Sequence, residues 1–199
     1  FKFRDSRKMF VAGVPAIINR ISFTGELGYE IYVAPHFQLK LYEELTKAGE
    51  EFNIKPFGGR ALMSMRLEKN WGAWTLDYRP DFTAKETGLD FFINWNKDFI
   101  GKDCAQKDKS KNKLVPLIVE TNDIDVTYNE AVLKGDKSIG YITSGGFAHF
   151  VNKSVAFSYV DQNELKSEKG IQVEINGDFF NCSIITEPLY DPSGQKMRS

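Results

Sequence analysis

Cysteine and histidine are scarce in this chain of 199 residues, which contains two of each. Cys104 and Cys182 lie far apart in the sequence and have no neighbours of the metal-binding type, so we expect reduced thiols. With His36 and His149 as the only histidines, we expect no histidine-based metal site. The sequence therefore predicts no bound metal and a cytoplasmic location, or the mitochondrial matrix if the source is eukaryotic.

Long apolar runs and an excess of one charge are lacking too. No run approaches the roughly 20 residues of a membrane-spanning helix, and no signal peptide opens the chain. The 26 basic and 27 acidic residues give a net charge of −1, whereas nucleic-acid binding needs clustered positive charge. The basic stretch 107–113 is interrupted by Asp108 and Asn112, which favours a solvated linker. We expect neither a membrane nor a nucleic acid as partner.

A glycine-rich dinucleotide loop is also absent from the sequence. Gly58, Gly59 and Arg60 have neither the spacing of the dinucleotide fingerprint nor a buried strand before them. These residues therefore predict no flavin site of their own. The chain begins without a methionine, and we expect it to be a piece of a longer protein.

Residues 1–98 have the pattern of a mixed α+β domain. Apolar and β-branched runs predict strands over residues 14–22 and 29–33, with a further short strand over 93–95. Helical spacing predicts helices over residues 37–48 and 59–68. Within the second helix, we expect Met65 to fill the core.

The pattern changes after a short predicted helix (residues 101–108) and a connector (residues 109–113). Six short β-type runs then follow at regular spacing, separated by turn residues, and Asn176-Gly177 is a strong signal for a type I′ hairpin. Such a series is typical of a small closed barrel. The six predicted strands are residues 114–120, 131–134, 138–143, 154–159, 172–175 and 179–185.

Residues 20–30 form the most informative stretch. A strand leads into a polar corner with Gly25 and Gly28, where the backbone turns tightly, and a second strand leaves. Glu30 opens that second strand, so its carboxylate is held by the sheet and is suited to accept paired hydrogen bonds from a planar ligand rich in N–H groups. The plain alternative is a hairpin with a solvated glutamate.

This stretch resembles the signature Arg-x-Ser-Tyr/Phe-Thr-Gly-Glu-x-Gly-Tyr/Trp-Glu of the folate-dependent aminomethyltransferase family, typified by the glycine-cleavage T-protein. It is most similar to the version at the C-terminus of sarcosine and dimethylglycine dehydrogenases. Further stretches resemble the family's motifs in the same order and span nearly the whole chain. They are residues 66–69, 81–89, 99–102, 140–146 and 188–192.

The resemblance implies a partial ferredoxin-like, T-protein-type α+β domain followed by a six-stranded antiparallel β-barrel. Residues 1–98 would be the folate-binding domain without its first part, residues 99–113 a short helix and linker, and residues 114–199 the barrel. In the family, the first part of the folate domain and a flavin-binding oxidoreductase region come earlier in the protein. The chain would then pack against that missing N-terminal part, and FAD would belong to the upstream region.

The resemblance also implies the site residues. Glu30 matches the position that accepts hydrogen bonds from the pterin ring of tetrahydrofolate, and an aromatic lining would come from Phe23, Tyr29 and Trp74. Phe23 stands where many relatives have tyrosine, so one polar contact is lost, and Phe23 could instead belong to the core. For Trp74, core packing is an equal alternative to a pocket wall.

Other family positions give no catalytic residue in this chain. The T-protein arginine of Gly-x-Arg-Asp falls on Leu62, and we do not transfer its role to Arg60, which would face elsewhere on a helix. Arg66 and Glu68 are expected to brace the helix within the domain. Arg198, at the C-terminus, is expected to be disordered. The aspartate that assists one-carbon transfer in the family has no counterpart here, so the piece alone should be inactive.

The expected function is capture of a one-carbon unit, released from a small methylated amine, on tetrahydrofolate as the 5,10-methylene form. The parent would be a sarcosine- or dimethylglycine-dehydrogenase-type enzyme. The alternatives are a stand-alone glycine-cleavage aminomethyltransferase, a folate-dependent demethylase, or a non-catalytic folate-binding module.

Overall fold

The computed structural model describes residues 1–121, 123–166 and 170–199. Contacts divide the chain into two compact units. The first unit comprises Phe1–Met65 together with Asp191–Ser199, and the second comprises Arg66–Tyr190. The C-terminal residues thus belong to the same unit as the N-terminal ones.

The first unit contains a three-stranded antiparallel sheet of β1 (Ser6–Val11), β2 (Val14–Asn19) and β3 (Glu30–Tyr32). Side chains of β2 alternate strictly between buried and exposed, as expected for a strand with one covered face. The two predicted strands are confirmed, with shorter bounds. β1 was not expected, because its mixed sequence with two cations hides the alternation, and its pairing with β2 fixes it as a strand.

The helices of the first unit follow the sheet. A 3₁₀ turn, Pro35–Phe37, leads into α1 (Gln38–Gly49), and a second 3₁₀ turn covers Glu50–Phe52. α2 (Gly59–Glu68) has the predicted bounds, and its last three residues belong to the second unit. Arg198 was expected to be disordered, which is wrong: it lies in the 3₁₀ turn Lys196–Arg198, where Met197 is buried.

The second unit is built around a closed antiparallel barrel, which confirms the predicted six strands. Its core is a cluster of buried aliphatic side chains contributed by the barrel strands. Asn176 and Gly177 both have positive φ, as a type I′ hairpin requires. Around the barrel, the order is β4 (Asn112–Val119), β7 (Lys153–Asp161), β6 (Lys137–Ala148), β5 (Ala131–Lys134), β8 (Ile171–Ile175) and β9 (Asp178–Ile184).

The segment before the barrel contains a 3₁₀ turn, Asp90–Phe92, and the short helix α3 (Lys102–Gln106). The strand predicted over residues 93–95 is wrong. The Asn94 side chain accepts a hydrogen bond from the Asn96 N–H at 3.1 Å, and the Asn94 carbonyl accepts one from the Lys97 N–H at 3.1 Å. These local bonds close a turn, and no strand among the described residues pairs with the apolar residues there.

A buried ion pair lies between the end of α2 and the barrel. Arg66 and Asp77 have side chains that are 1% and 0% exposed, and their charged groups approach to 2.6 Å. The Asp77 carboxylate also accepts hydrogen bonds from the Ala73 N–H at 2.8 Å and from the hydroxyls of Thr143 and Ser144 at 2.5 and 2.7 Å. This network confirms that Arg66 braces its domain.

Glu68 has the same kind of role. Its Oε1 accepts a hydrogen bond from the Phe150 N–H at 2.6 Å, just after β6, and its main-chain oxygen accepts one from the Tyr190 N–H at 3.0 Å. Glu68 therefore braces α2 as predicted, but against residues of the predicted barrel domain (114–199) and not within residues 1–98. Across the described ranges, no helix is both long enough and apolar enough to cross a membrane.

We expect Asp77→Asn to lower the free energy of unfolding by about 3–5 kcal/mol, because the Arg66 charge would stay buried without a countercharge. Urea denaturation followed by circular dichroism measures this loss. The matched control is Asp81→Asn, since Asp81 pairs with Arg79 at 2.5 Å while 58% exposed. The control should leave the midpoint unchanged, and an equal loss in both variants would contradict the assignment.

The two thiols should differ in reactivity. Burial raises the pKa of Cys182 to about 12, whereas Cys104 is exposed. Because the thiolate is the reactive form, Cys182 should resist iodoacetamide at pH 8 and gain reactivity only as the pH rises toward its pKa. Peptide mapping by mass spectrometry should show labelling at Cys104 in the native protein and at both residues in denaturant. Equal native labelling would contradict the burial of Cys182.

Candidate functional site

The segment between β2 and β3 is a loop over residues 20–29, closed by the pairing of Asn19 with Glu30. It is longer than the tight corner predicted, because β2 ends at Asn19. Both glycines are needed, for different reasons. Gly25 has φ +87°, and a Cβ on Gly28 would lie 2.9 Å from the Ile21 carbonyl oxygen.

Hydrogen bonds between residues two or three apart in the sequence stabilise the loop. The Ser22 hydroxyl accepts from the Gly25 N–H at 3.0 Å, and the Thr24 hydroxyl accepts from the Glu26 N–H at 3.3 Å. Such side-chain bonds to nearby main-chain groups are the means by which serine and threonine favour turns. The motif residues thus give the loop a defined shape.

This loop and the first turns of α2 enclose a cavity of about 710 Å³ within the first unit. Three of the four predicted site residues, Phe23, Tyr29 and Glu30, line it together. The remaining lining residues are Ile21, Ser22, Thr24, Glu26, Leu27, Gly28, Phe57, Ala61, Leu62 and Met65.

Glu30 is the first residue of β3 and is exposed at the cavity. Its Oε2 accepts a hydrogen bond from the Tyr32 hydroxyl, and this bond raises the pKa of Tyr32 because the tyrosinate would face the carboxylate. Tyr32 lies two residues further along the strand, on the same face of the sheet. The sequence analysis missed Tyr32, and its spacing from Glu30 in a strand was the available signal.

Tyr32 is itself held from the neighbouring strands. The Asn19 side chain hydrogen-bonds to the Tyr32 oxygen, which partly offsets the rise in its pKa. Asn19 Oδ1 in turn accepts from the Ser6 hydroxyl at 2.7 Å. A polar row therefore crosses the sheet from β1 to β3 and ends on the Glu30 carboxylate.

The aromatic residues differ in their surroundings. Phe23 is half-buried on the cavity wall, so it is not part of the buried core. The Tyr29 ring is 48% exposed and stacks on Phe1, with 5.6 Å between ring centroids. Both side chains line the cavity and give it aromatic surface.

Trp74 belongs to the second unit and is 76% exposed. Its ring meets the edge of Tyr78 at 5.5 Å, on a turn in which the Tyr78 carbonyl accepts from the Thr75 N–H at 3.0 Å. The alternative that Trp74 is a core residue is therefore wrong. Its place in a folate site stays a prediction.

The α2 side of the cavity is apolar. Leu62 and Met65 line it, so the expectation that Met65 fills the core is wrong. Arg60 does not line the cavity, so nothing here gives it the role of the T-protein arginine. Among the residues that the structure describes, no three His, Cys, Asp or Glu side chains lie close enough to hold a metal ion. Two glutamates, Glu26 and Glu30, line the cavity, and the Tyr32 hydroxyl orients the Glu30 carboxylate.

Two family models match the chain. Residues 1–97 match the GCVT N-terminal domain, and residues 112–191 match the glycine cleavage T-protein C-terminal barrel domain. Among solved structures, the glycine cleavage system aminomethyltransferase T from Bartonella henselae is similar, with a TM-score of 0.78 and 25% identity. That similarity covers 89% of this chain and 50% of the solved chain.

Two kinds of curated relatives are similar in sequence. Mitochondrial dimethylglycine dehydrogenase from Homo sapiens is 37% identical over 194 residues, which is 95% of this chain and 22% of the relative. An aminomethyltransferase from Thermoanaerobacter pseudethanolicus is 28% identical over 200 residues, which is 98% of this chain and 54% of the relative. The chain thus spans under a quarter of the first and about half of the second. Together with the two family models, these relatives show that the chain belongs to the glycine cleavage T-protein, or aminomethyltransferase, family.

Proposed function

We propose that the chain is the C-terminal part of a folate-binding, aminomethyltransferase-like region in a dimethylglycine- or sarcosine-dehydrogenase-type enzyme. The observation that supports this most directly is the cavity that brings together Phe23, Tyr29 and Glu30. The dehydrogenase type is favoured by sequence identity, which is 37% and 39% to the human and rat dehydrogenases and 28% to 30% to the aminomethyltransferases.

The cavity fits the pterin end of tetrahydrofolate. Its volume of about 710 Å³ lies within the range of roughly 300–1,000 Å³ that is usual for small-molecule sites. Glu30 Oε1 accepts no hydrogen bond from the described residues, and Oε2 accepts one from Tyr32, so the carboxylate can take adjacent N–H donors from an aminopyrimidinone edge. Leu62 and Met65 give an apolar wall that excludes water from those bonds.

Each residue then has a task in binding. Glu30 fixes the orientation of the pterin ring, Phe23 and Tyr29 supply aromatic lining, and Tyr32 orients the carboxylate. When bound, tetrahydrofolate supplies the nitrogens that take up the one-carbon unit, giving the 5,10-methylene form. Holding those nitrogens in place makes the capture effectively intramolecular.

The remaining machinery belongs outside this chain. A flavin region would oxidise a small N-methyl amine, and the first part of the aminomethyltransferase region would supply the catalytic aspartate and pack against this chain. The first unit has several large apolar side chains exposed for such packing, including Phe10, Phe52 and Phe57. The mitochondrial dehydrogenase relatives favour the mitochondrial matrix if the source is eukaryotic.

Glu30→Gln should weaken tetrahydrofolate binding about tenfold or more, because an NH2 donor replaces one carboxylate oxygen and leaves one ligand N–H without an acceptor. Anaerobic isothermal titration calorimetry on the full-length protein measures the Kd. The control is Glu44→Gln, since Glu44 is an exposed glutamate on α1, and it should bind like the wild type. A wild-type protein that binds no tetrahydrofolate would overturn the proposal.

Tyr32→Phe should weaken the same binding by a smaller factor, about two- to fivefold, since Glu30 keeps its charge and loses only the bond that orients it. Tyr42→Phe is the matched control because Tyr42 is an exposed tyrosine of α1. Titration calorimetry at a single pH compares the Kd for tetrahydrofolate of the Tyr32→Phe and Tyr42→Phe variants. An effect of Tyr42→Phe as large as that of Tyr32→Phe would argue against a specific role for the Tyr32 hydroxyl.

An assay of enzyme turnover distinguishes a dehydrogenase-type parent protein from the alternative functions. Full-length protein given an N-methyl amine and an artificial electron acceptor should reduce the acceptor, and a stand-alone aminomethyltransferase should not. If folate binds but neither oxidation nor one-carbon transfer occurs, the non-catalytic module is the correct description.

A further inference from the structure

Arg20 is a buried cation beside the cavity loop. Its side chain is 3% exposed and lies at the point where β2 ends and the loop begins. Its guanidinium donates to the main-chain oxygens of Ser199 at 2.5 Å, Met197 at 3.4 Å and Phe1 at 3.3 Å. All of these residues belong to the first unit.

No Asp or Glu side chain pairs with Arg20 among the described residues, and the Nε–H has no hydrogen-bond acceptor there. A buried guanidinium is costly unless neighbouring groups stabilise it. The oxygens of Phe1, Met197 and Ser199 provide part of that stabilisation. The remaining neighbour is an aromatic ring: the Arg20 guanidinium carbon lies 5.4 Å from the centroid of Tyr29.

The Tyr29 ring therefore contacts both the Arg20 guanidinium and the Phe1 ring, on which it stacks with an interplanar angle of 21°. A guanidinium within about 6 Å of a ring centroid attracts the ring face, more strongly when it is desolvated. Because Tyr29 lines the cavity, a contact that fixes its ring also fixes part of the cavity wall. The C-terminal residues enter this chain of contacts through Arg20.

We propose that Arg20 is a positioning residue for the cavity: anchored by residues 197–199, it holds the Tyr29 ring in place as part of the cavity wall. This rests on the proposed function, since the ligand is tetrahydrofolate. The 3₁₀ turn Lys196–Arg198 is then a structural component of the binding site, although it is far from the cavity loop in sequence.

The test is a double-mutant cycle on the full-length protein, with the Kd for tetrahydrofolate measured by anaerobic calorimetry. Arg20→Lys keeps the charge but loses the planar fork that reaches the oxygens and the ring. We expect it to raise the Kd about three- to tenfold, in keeping with a desolvated cation–π contact. In the Tyr29→Leu background, the same change should alter the Kd less than about twofold, since coupled residues are not additive.

The control for Arg20→Lys is Arg4→Lys, an exposed arginine in the same unit, which should leave the Kd unchanged. A purely structural role for Arg20 would lower the melting temperature and give the same loss of affinity with or without the Tyr29 ring. Additive effects in the cycle would overturn the proposal while leaving the proposed function intact. Failure of the wild type to bind tetrahydrofolate would overturn both.

A measurement on the unaltered protein decides the matter if Arg20→Lys does not fold. Trypsin cleaves after Lys196 and Arg198, within the anchoring turn. Because coupling between two sites is reciprocal, saturating tetrahydrofolate should slow cleavage there by about threefold or more. Unchanged cleavage rates at saturation would contradict the proposed link between the turn and the cavity.

Discussion

The carboxylate of Asp77 is the interaction on which the second unit depends. It neutralises the buried charge of Arg66, caps the turn that begins at Ala73, and accepts hydroxyl bonds from Thr143 and Ser144 of β6. The main-chain oxygen of Asp77 also accepts a bond from the Tyr159 hydroxyl of β7 at 2.8 Å. One residue thus ties together the end of α2, the turn that carries Trp74 and two barrel strands.

The two buried arginines show how the partner decides the role. Arg66 has a carboxylate partner, and its contacts stay within the framework of the second unit. Arg20 donates to oxygens of the C-terminal residues and lies against an aromatic ring of the cavity wall. Such a residue suits the fixing of a neighbouring side chain better than the general stabilisation of a core.

Local patterns predicted much of this fold and part of the site. The six barrel strands and the bounds of α2 follow from spacing and turn residues, and the loop glycines and Glu30 follow from the motif. The missed features depend on partners distant in sequence. β1 is a strand because β2 pairs with it. Residues 93–95 do not form a strand, since no strand among the described residues pairs with them. The hydrogen-bond partners of Arg20 lie up to 179 residues away in the sequence. Periodicity contains no information about such contacts.

The polar row across the sheet gives a physical reading of phenylalanine at position 23. A tyrosine there would offer a hydroxyl from the loop, whose conformation is held by hydrogen bonds between residues close in sequence. In this chain the hydroxyl beside the carboxylate comes instead from Tyr32, within β3, where strand pairing and Asn19 hold it. A carboxylate oriented from the sheet does not depend on the loop for its direction. Under the proposed function, the loop residues Phe23 and Tyr29 supply aromatic surface, and Glu30 accepts from the polar edge of the ligand.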